Sequence, residues 1–181
     1  MGQLKLNGLE ATHDSQLKTP KHDEMMKLLF NKKIINIIEK HSQINDLILR
    51  LSFDKNTKKI KLIKTEINLE VPLKTSRGFI VGIIDAVIAF YYEITYYDTF
   101  SETITTKNEI ACCGIEIKPT INSIGEVMRQ LKIYSDYLNI NHYYNKKAKI
   151  ILFTNDESER EIFESQGIGY ISLNQLGDLN E

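Results

Sequence analysis

The sequence predicts an α/β (α+β) fold, a mixed central sheet flanked by helices. Three observations carry this: apolar strand-like runs joined by polar turns, a later strand-helix alternation, and a capped helix start ahead of them. The 181 residues, 42% hydrophobic and 26% charged, suit one globular domain with a proper core. Residues 1–18 are polar and aperiodic and read as a loose N-terminal arm, leaving 19–181 as the domain.

The first helix is announced at "TPKHDEMMKLLF". Thr19 is placed to cap it, Pro20 takes the first helical position, Asp23 and Glu24 lie in the first turn, and Met25, Leu28 and Leu29 recur at helical spacing. "LILRLSF", "DKNTKK" and "IKLIKTEINLEVPL" then read as strand, turn and strand, and "RGFIVGIIDAVIAFYYEI" as a further strand. Residues 98–108, "DTFSETITTKN", are polar and turn-like, and "EIACCGIEIKP" is a strand stopped by Pro119. Ile124, Val127, Met128, Leu131 and Leu138 form one helical stripe, with Ser123 and Glu126 spaced as a capping box. "AKIILFT", "DESEREIFESQ" and "GIGYISL" close the chain as strand, helix and strand, and the core order is αβββαβ with a further αβ.

Composition excludes several classes of partner. With 23 basic and 24 acidic side chains, the formal charge of −1 gives no global pull toward polyanions or anionic lipid, so such a partner needs a local patch. The adjacent Cys112 and Cys113 cannot form an ordinary structural disulfide and match no Cys-x-x-Cys metal cluster, which points to a reducing, cytoplasmic setting. No apolar run approaches the ~20 residues that span a bilayer, so no membrane partner is expected.

Chemistry concentrates in two strands. In "FIVGIIDAVIAF" every residue but Asp85 is apolar or glycine, as in a strand buried on both faces. A carboxylate there must be neutral, sit at a sheet opening, or be compensated by a cation. In "ACCGIEIKP" strand alternation turns Cys112, Gly114, Glu116 and Lys118 to one face. Should the two strands be neighbours, two carboxylates and one ammonium converge where Gly114 leaves space. Two hard carboxylates suit Mg²⁺ or Mn²⁺, and a lysine beside them suits an attacking water or the charge building on a phosphate.

Asp85, then Glu116-Ile117-Lys118, then Gln130-x-x-x-Tyr134 resembles the motif order of the PD-(D/E)XK nuclease superfamily, whose core has the restriction-endonuclease-like order αβββαβ. "GEVMRQLKIY" is similar to the RecB-type branch, which includes CRISPR-associated adaptation exonucleases. The resemblance covers roughly residues 19–154. It implies Mg²⁺- or Mn²⁺-dependent cleavage of nucleic acid, DNA before RNA. Asp85 and Glu116 would be metal ligands, the Ile117 carbonyl a candidate further ligand, and Lys118 would lie near the attacking water. It also implies a ligand or substrate contact from the first helix, with His22 and Glu24 as the two candidates, and places Gln130 and Tyr134 at the border of the site. The chain departs from the pattern in three ways: Ile84 stands where proline is expected before the first acid; the cysteines of the iron–sulfur cluster found in many relatives are missing, so no cluster is expected; and the stretch between Asp85 and Glu116 is long, which implies that their two strands form an extended hairpin.

Bland readings compete with these. Glu116 and Lys118 alone could be an ion pair on a solvated strand face, and Glu126 is most simply a capping residue. Gln166-x-x-x-Tyr170 repeats the Gln/Tyr spacing, although Gly167 and Gly169 make it a poor helix. A retired nuclease fold that binds nucleic acid or protein is the alternative function, and a homodimer is left open.

Overall fold

The computed structural model describes residues 19–41, 44–46, 57–98, 100–140 and 148–176. The N-terminal arm and the strand-like "LILRLSF" segment lie outside these residues. The first helical stretch divides in two: α1 (Pro20–Leu28) and α2 (Lys32–Lys40). Thr19 Oγ1 accepts from the His22 amide at 3.3 Å and caps α1 as expected, while Asn31 Oδ1 accepts from the Lys33 amide at 2.8 Å and restarts the helix.

Five strands form one sheet in the order β1-β2-β3-β4-β5: β1 (Thr57–Lys74), β2 (Ile80–Asp98), β3 (Thr103–Lys118), β4 (Lys149–Thr154) and β5 (Gly169–Ser172). The β1/β2 and β2/β3 pairs are antiparallel, and β3/β4 and β4/β5 are parallel. The sheet is therefore mixed, flanked by helices, as the sequence predicts. Helix α3 (Ile124–Ile140) crosses from β3 to β4 and α4 (Arg160–Ser165) from β4 to β5. Successive parallel crossovers of one hand, progressing in one direction, deposit both helices on the same face.

Two cores result. Met25, Leu29, Ile34 and Ile38 cover one face, packing on Ala86, Ile88, Ala111, Cys113, Ile115 and Ile117. Val127, Leu131, Tyr134 and Phe163 cover the other, packing on Leu73, Ile84, Ile150, Leu152 and Tyr170. The alternation inferred for β3 holds here: the odd residues from Ala111 to Ile117 meet α1 and α2, which leaves Glu116 and Lys118 for the α3 face.

Three expectations need correction. Residues 103–108 are strand and not turn, because Thr103–Asn108 pair with Asp98–Glu93 in a long hairpin that threonine-rich sequence tolerates. The β2 run is not buried throughout: Phe79, Ile80 and Ile83 are exposed, and the doubly covered part begins at Ile84. Gly114 leaves no open space, since a Cβ there would lie 2.5–2.8 Å from the ends of Ile84, Ile150 and Leu138, which already fill it.

Candidate functional site

The β2/β3 ladder runs unbroken from Asp98↔Thr103 to Ala86↔Ile115 and stops there. At the next position the Asp85 carboxylate takes over from the backbone: its Oδ2 accepts the Ile117 amide at 2.8 Å. Asp85 thus sits at a sheet opening, one of the three environments in which a carboxylate can survive an apolar strand.

Its other oxygen, Oδ1, meets His22 Nε2 at 3.1 Å. Pro20 and the Thr19 cap start α1 where the His22 ring, itself buried, reaches the opening, whereas Glu24 stays exposed. Of the two candidates on the first helix, the fold brings His22 to Asp85.

A chain of hydrogen bonds converges on Glu116 from α3. Tyr134 donates its hydroxyl to the Ile83 carbonyl at 3.1 Å; Gln130 Nε2 donates to the Tyr134 oxygen at 2.7 Å and to Glu116 Oε1 at 3.0 Å. Lys118 Nζ approaches the same Oε1 at 2.9 Å. Gln130 and Tyr134, one turn apart on α3, therefore work as one unit, with Tyr134 fixing the amide that fixes the carboxylate. The competing Gln166 and Tyr170 share no helix: Gln166 ends α4 and Tyr170 belongs to β5.

Both side chains that pair with Glu116, Gln130 and Lys118, reach Oε1. Oε2 is buried and has no hydrogen-bond partner, and His22 Nδ1 is in the same condition. An unsatisfied buried acceptor costs roughly 1–3 kcal/mol, more when charged. Burial, with Asp85 nearby adding like charge, pushes the Glu116 carboxyl up to about 8 against the opposing pull of Lys118. Burial, followed by the negative charge of Glu116, likewise raises the Tyr134 phenol to about 12, so it serves as a neutral donor.

Two features of the site escape the sequence reading. Gly82 makes room for Tyr134, because a Cβ there would lie 2.6 Å from the ring Cε1. Glu70, whose place in β1 falls between Leu69↔Ala86 and Val71↔Ile84 and so opposite Asp85, has φ of +52°. Alternation breaks at the same level of β2: Ile84 packs in the α3 core, but Ala86 packs in the α1/α2 core. Both strands change face here, which turns Asp85 toward the β3 edge. An apolar run flags Gly82 weakly as a close approach. Nothing in the residue type of Glu70 signals a left-handed conformation.

Comparison with family models, with curated proteins and with solved structures returns no match for this chain. The geometry therefore has to be weighed on its own chemistry. Among the described residues, no group of three or more His, Cys, Asp or Glu side chains is arranged to hold a metal ion. The donors bind one another instead: His22 meets Asp85, Asp85 meets the Ile117 amide, and Glu116 Oε1 meets Lys118 and Gln130. A Mg²⁺-type ion, however, is commonly held by only one or two carboxylates, with waters and substrate phosphate completing its shell. Asp85 and Glu116, with one orphaned oxygen between them, fit that kind of partial site.

Proposed function

We propose that the chain is a Mg²⁺- or Mn²⁺-dependent nuclease of the PD-(D/E)XK type that hydrolyses phosphodiester bonds, in DNA before RNA. The observation that carries this reading is the unpartnered, buried Glu116 Oε2 beside Asp85 and Lys118. Two carboxylates against one ammonium make a cluster short of positive charge, which a divalent cation or a proton must supply.

The residues then divide the work. Asp85 and Glu116 would hold the ion, with the Ile117 carbonyl as a candidate further ligand, and His22 orients Asp85 from the opposite side. The ion would supply charge neutralisation on the phosphate and acidify water. Lys118, held by Glu116 Oε1, places an ammonium where negative charge builds on the transferring phosphoryl group. Gln130 and Tyr134 keep the Glu116 carboxylate oriented with Oε2 facing away from its donors.

The test is cleavage of end-labelled single-stranded, double-stranded and branched DNA, and of RNA, with Mg²⁺ or Mn²⁺. Cleavage is expected from the wild type and not from Asp85→Ala or Lys118→Ala. Absence of cleavage by the wild type, or activity unchanged in both variants, sinks the reading. The direct His22–Asp85 contact favours a second one, a catalytically silent nuclease fold that binds nucleic acid or protein. That reading expects binding to survive Glu116→Ala, with no metal-dependent rise in Tm.

A further inference from the structure

We propose that the turn joining β1 to β2, with Arg77 and Phe79 at its tip, grips an unpaired nucleic-acid strand and leads it along β2 to Asp85. The proposal rests on the nuclease reading and sharpens its substrate to single strands or frayed ends.

The turn is built to hold a shape. Thr75 Oγ1 accepts the Phe79 amide at 3.1 Å, the Thr75 amide donates to the Phe79 carbonyl at 2.8 Å, and the Gly78 amide donates to the Thr75 carbonyl at 2.9 Å. Gly78 supplies the φ of +86° that this closure needs. What the turn presents is unusual for a solvent-facing loop: Phe79 is 69% exposed, Ile80 60% and Ile83 53%.

Charge says what kind of partner belongs there. From Val71 to Ile84 the hairpin contains Lys74 and Arg77, both exposed, and no acid, in a chain whose overall charge is −1. This is a local basic patch of the sort that the near-neutral composition requires for a polyanion. An aromatic face beside a guanidinium suits a base stacked on a ring with its phosphate held alongside, and a base offers its face only when unpaired. At ~3.3 Å per strand residue, Phe79 lies on the order of 20 Å along β2 from Asp85, a reach of several nucleotides. Ile83, whose carbonyl anchors Tyr134, lies between the two.

The experiment is fluorescence anisotropy with a labelled single strand of about 20 nucleotides and its duplex, in EDTA so that no cutting is needed, followed by Mn²⁺-dependent cleavage of the same strands. Phe79→Ala and Arg77→Glu alter exposed side chains outside the cleavage site. Each is expected to weaken single-strand binding by about ten-fold or more and to leave duplex binding nearly unchanged. Unaltered single-strand binding in both variants overturns the proposal, and leaves the nuclease reading standing if the wild type cuts. An equal loss for duplex overturns the commitment to unpaired strands. A wild type that binds no strand removes the proposal whether or not it cuts. Weakened binding in a wild type that does not cut supports the gripping turn while removing the nuclease reading.

Discussion

Lys64 and Glu66 on β1, and Glu116 and Lys118 on β3, are the same local pattern: an acid and a lysine two residues apart, paired along one strand face. Their electrostatics are opposite. Glu66 is satisfied at both oxygens, by Lys64 at Oε1 and by the Tyr91 hydroxyl at Oε2 (2.5 Å), and the hydrogen bond from Lys64 leads in holding its carboxyl below the usual range. Glu116 receives two donors on one oxygen and none on the other, and burial beside Asp85 drives its carboxyl up to about 8. Spacing does not make a site. A covering helix and a second carboxylate across the strand gap convert an edge decoration into a buried cluster short of positive charge.

The largest expected difference is catalytic. On the proposed nuclease reading, Lys118→Met should lower metal-dependent cleavage by about 100-fold or more, since it would remove the ammonium that reading assigns to the reacting phosphate, while Lys64→Met should leave cleavage unchanged. Equal effects in a gel-based cleavage assay would erase the distinction between the pairs.

The next difference is thermodynamic and has a definite sign. Burial pushes the Glu116 carboxyl of the folded chain up to about 8 from an ordinary 4.5, so between these values the folded state holds a proton that the unfolded chain has released. Stability therefore falls as pH rises from the lower value to the higher and levels off above it. Glu116→Gln keeps the shape without the charge. It should stabilise the metal-free protein by on the order of 2–4 kcal/mol at alkaline pH, with the gain vanishing toward the lower value. For Glu66 the sign reverses: its lowered carboxyl contributes above its ordinary value and is lost as pH falls. Because solvent screens this partly exposed pair, Glu66→Gln should scarcely move a urea melt at any pH. A Glu116→Gln protein that is less stable than wild type at alkaline pH would contradict the account of Oε2.

Gly82→Ala asks whether the Gln130–Tyr134 unit maintains the asymmetry of Glu116. The added methyl meets the Tyr134 ring at 2.6 Å, and relieving that overlap should cost ~1–3 kcal/mol in denaturant unfolding. Because Tyr134 holds Gln130, the same substitution should also lower cleavage. Retention of full activity would mean that Glu116 is positioned by Lys118 alone.

How much of this the sequence disclosed follows the range of the interactions involved. Thr19 as cap, the α3 stripe and the shared face of Glu116 and Lys118 depend on residues within a turn or two, and they were readable. That β2 and β3 are neighbours could be anticipated only conditionally, because pairing is a long-range event, although a long stretch between Asp85 and Glu116 already pointed to an extended hairpin. The filling of Gly114 by Ile84, Leu138 and Ile150 comes from three separate elements, so alternation along β3 alone suggests open space there. The choice of His22 over Glu24 depends on the angle at which α1 meets β3, which no periodicity encodes. Regular alternation also hid the change of face at Asp85.

That change of face offers the smallest effect and the finest test. Glu70 adopts φ of +52° where β1 and β2 both switch cores, and a non-glycine residue in this region costs roughly 1–2 kcal/mol. Glycine adopts the conformation without strain but adds freedom to the unfolded chain, so Glu70→Gly should gain at most about 1 kcal/mol and leave cleavage intact. Valine, branched at Cβ, strongly resists positive φ. Glu70→Val should therefore push β1 back toward regular alternation, destabilise the fold by ~1 kcal/mol or more, and draw Asp85 away from the Ile117 amide. The pair separates backbone from side chain: if glycine is silent and valine impairs cleavage beyond its effect on stability, the kink positions Asp85. If both impair cleavage equally, the Glu70 carboxylate itself belongs to the site, and Glu116 is surrounded by more negative charge than its partners on β2 and β3 supply.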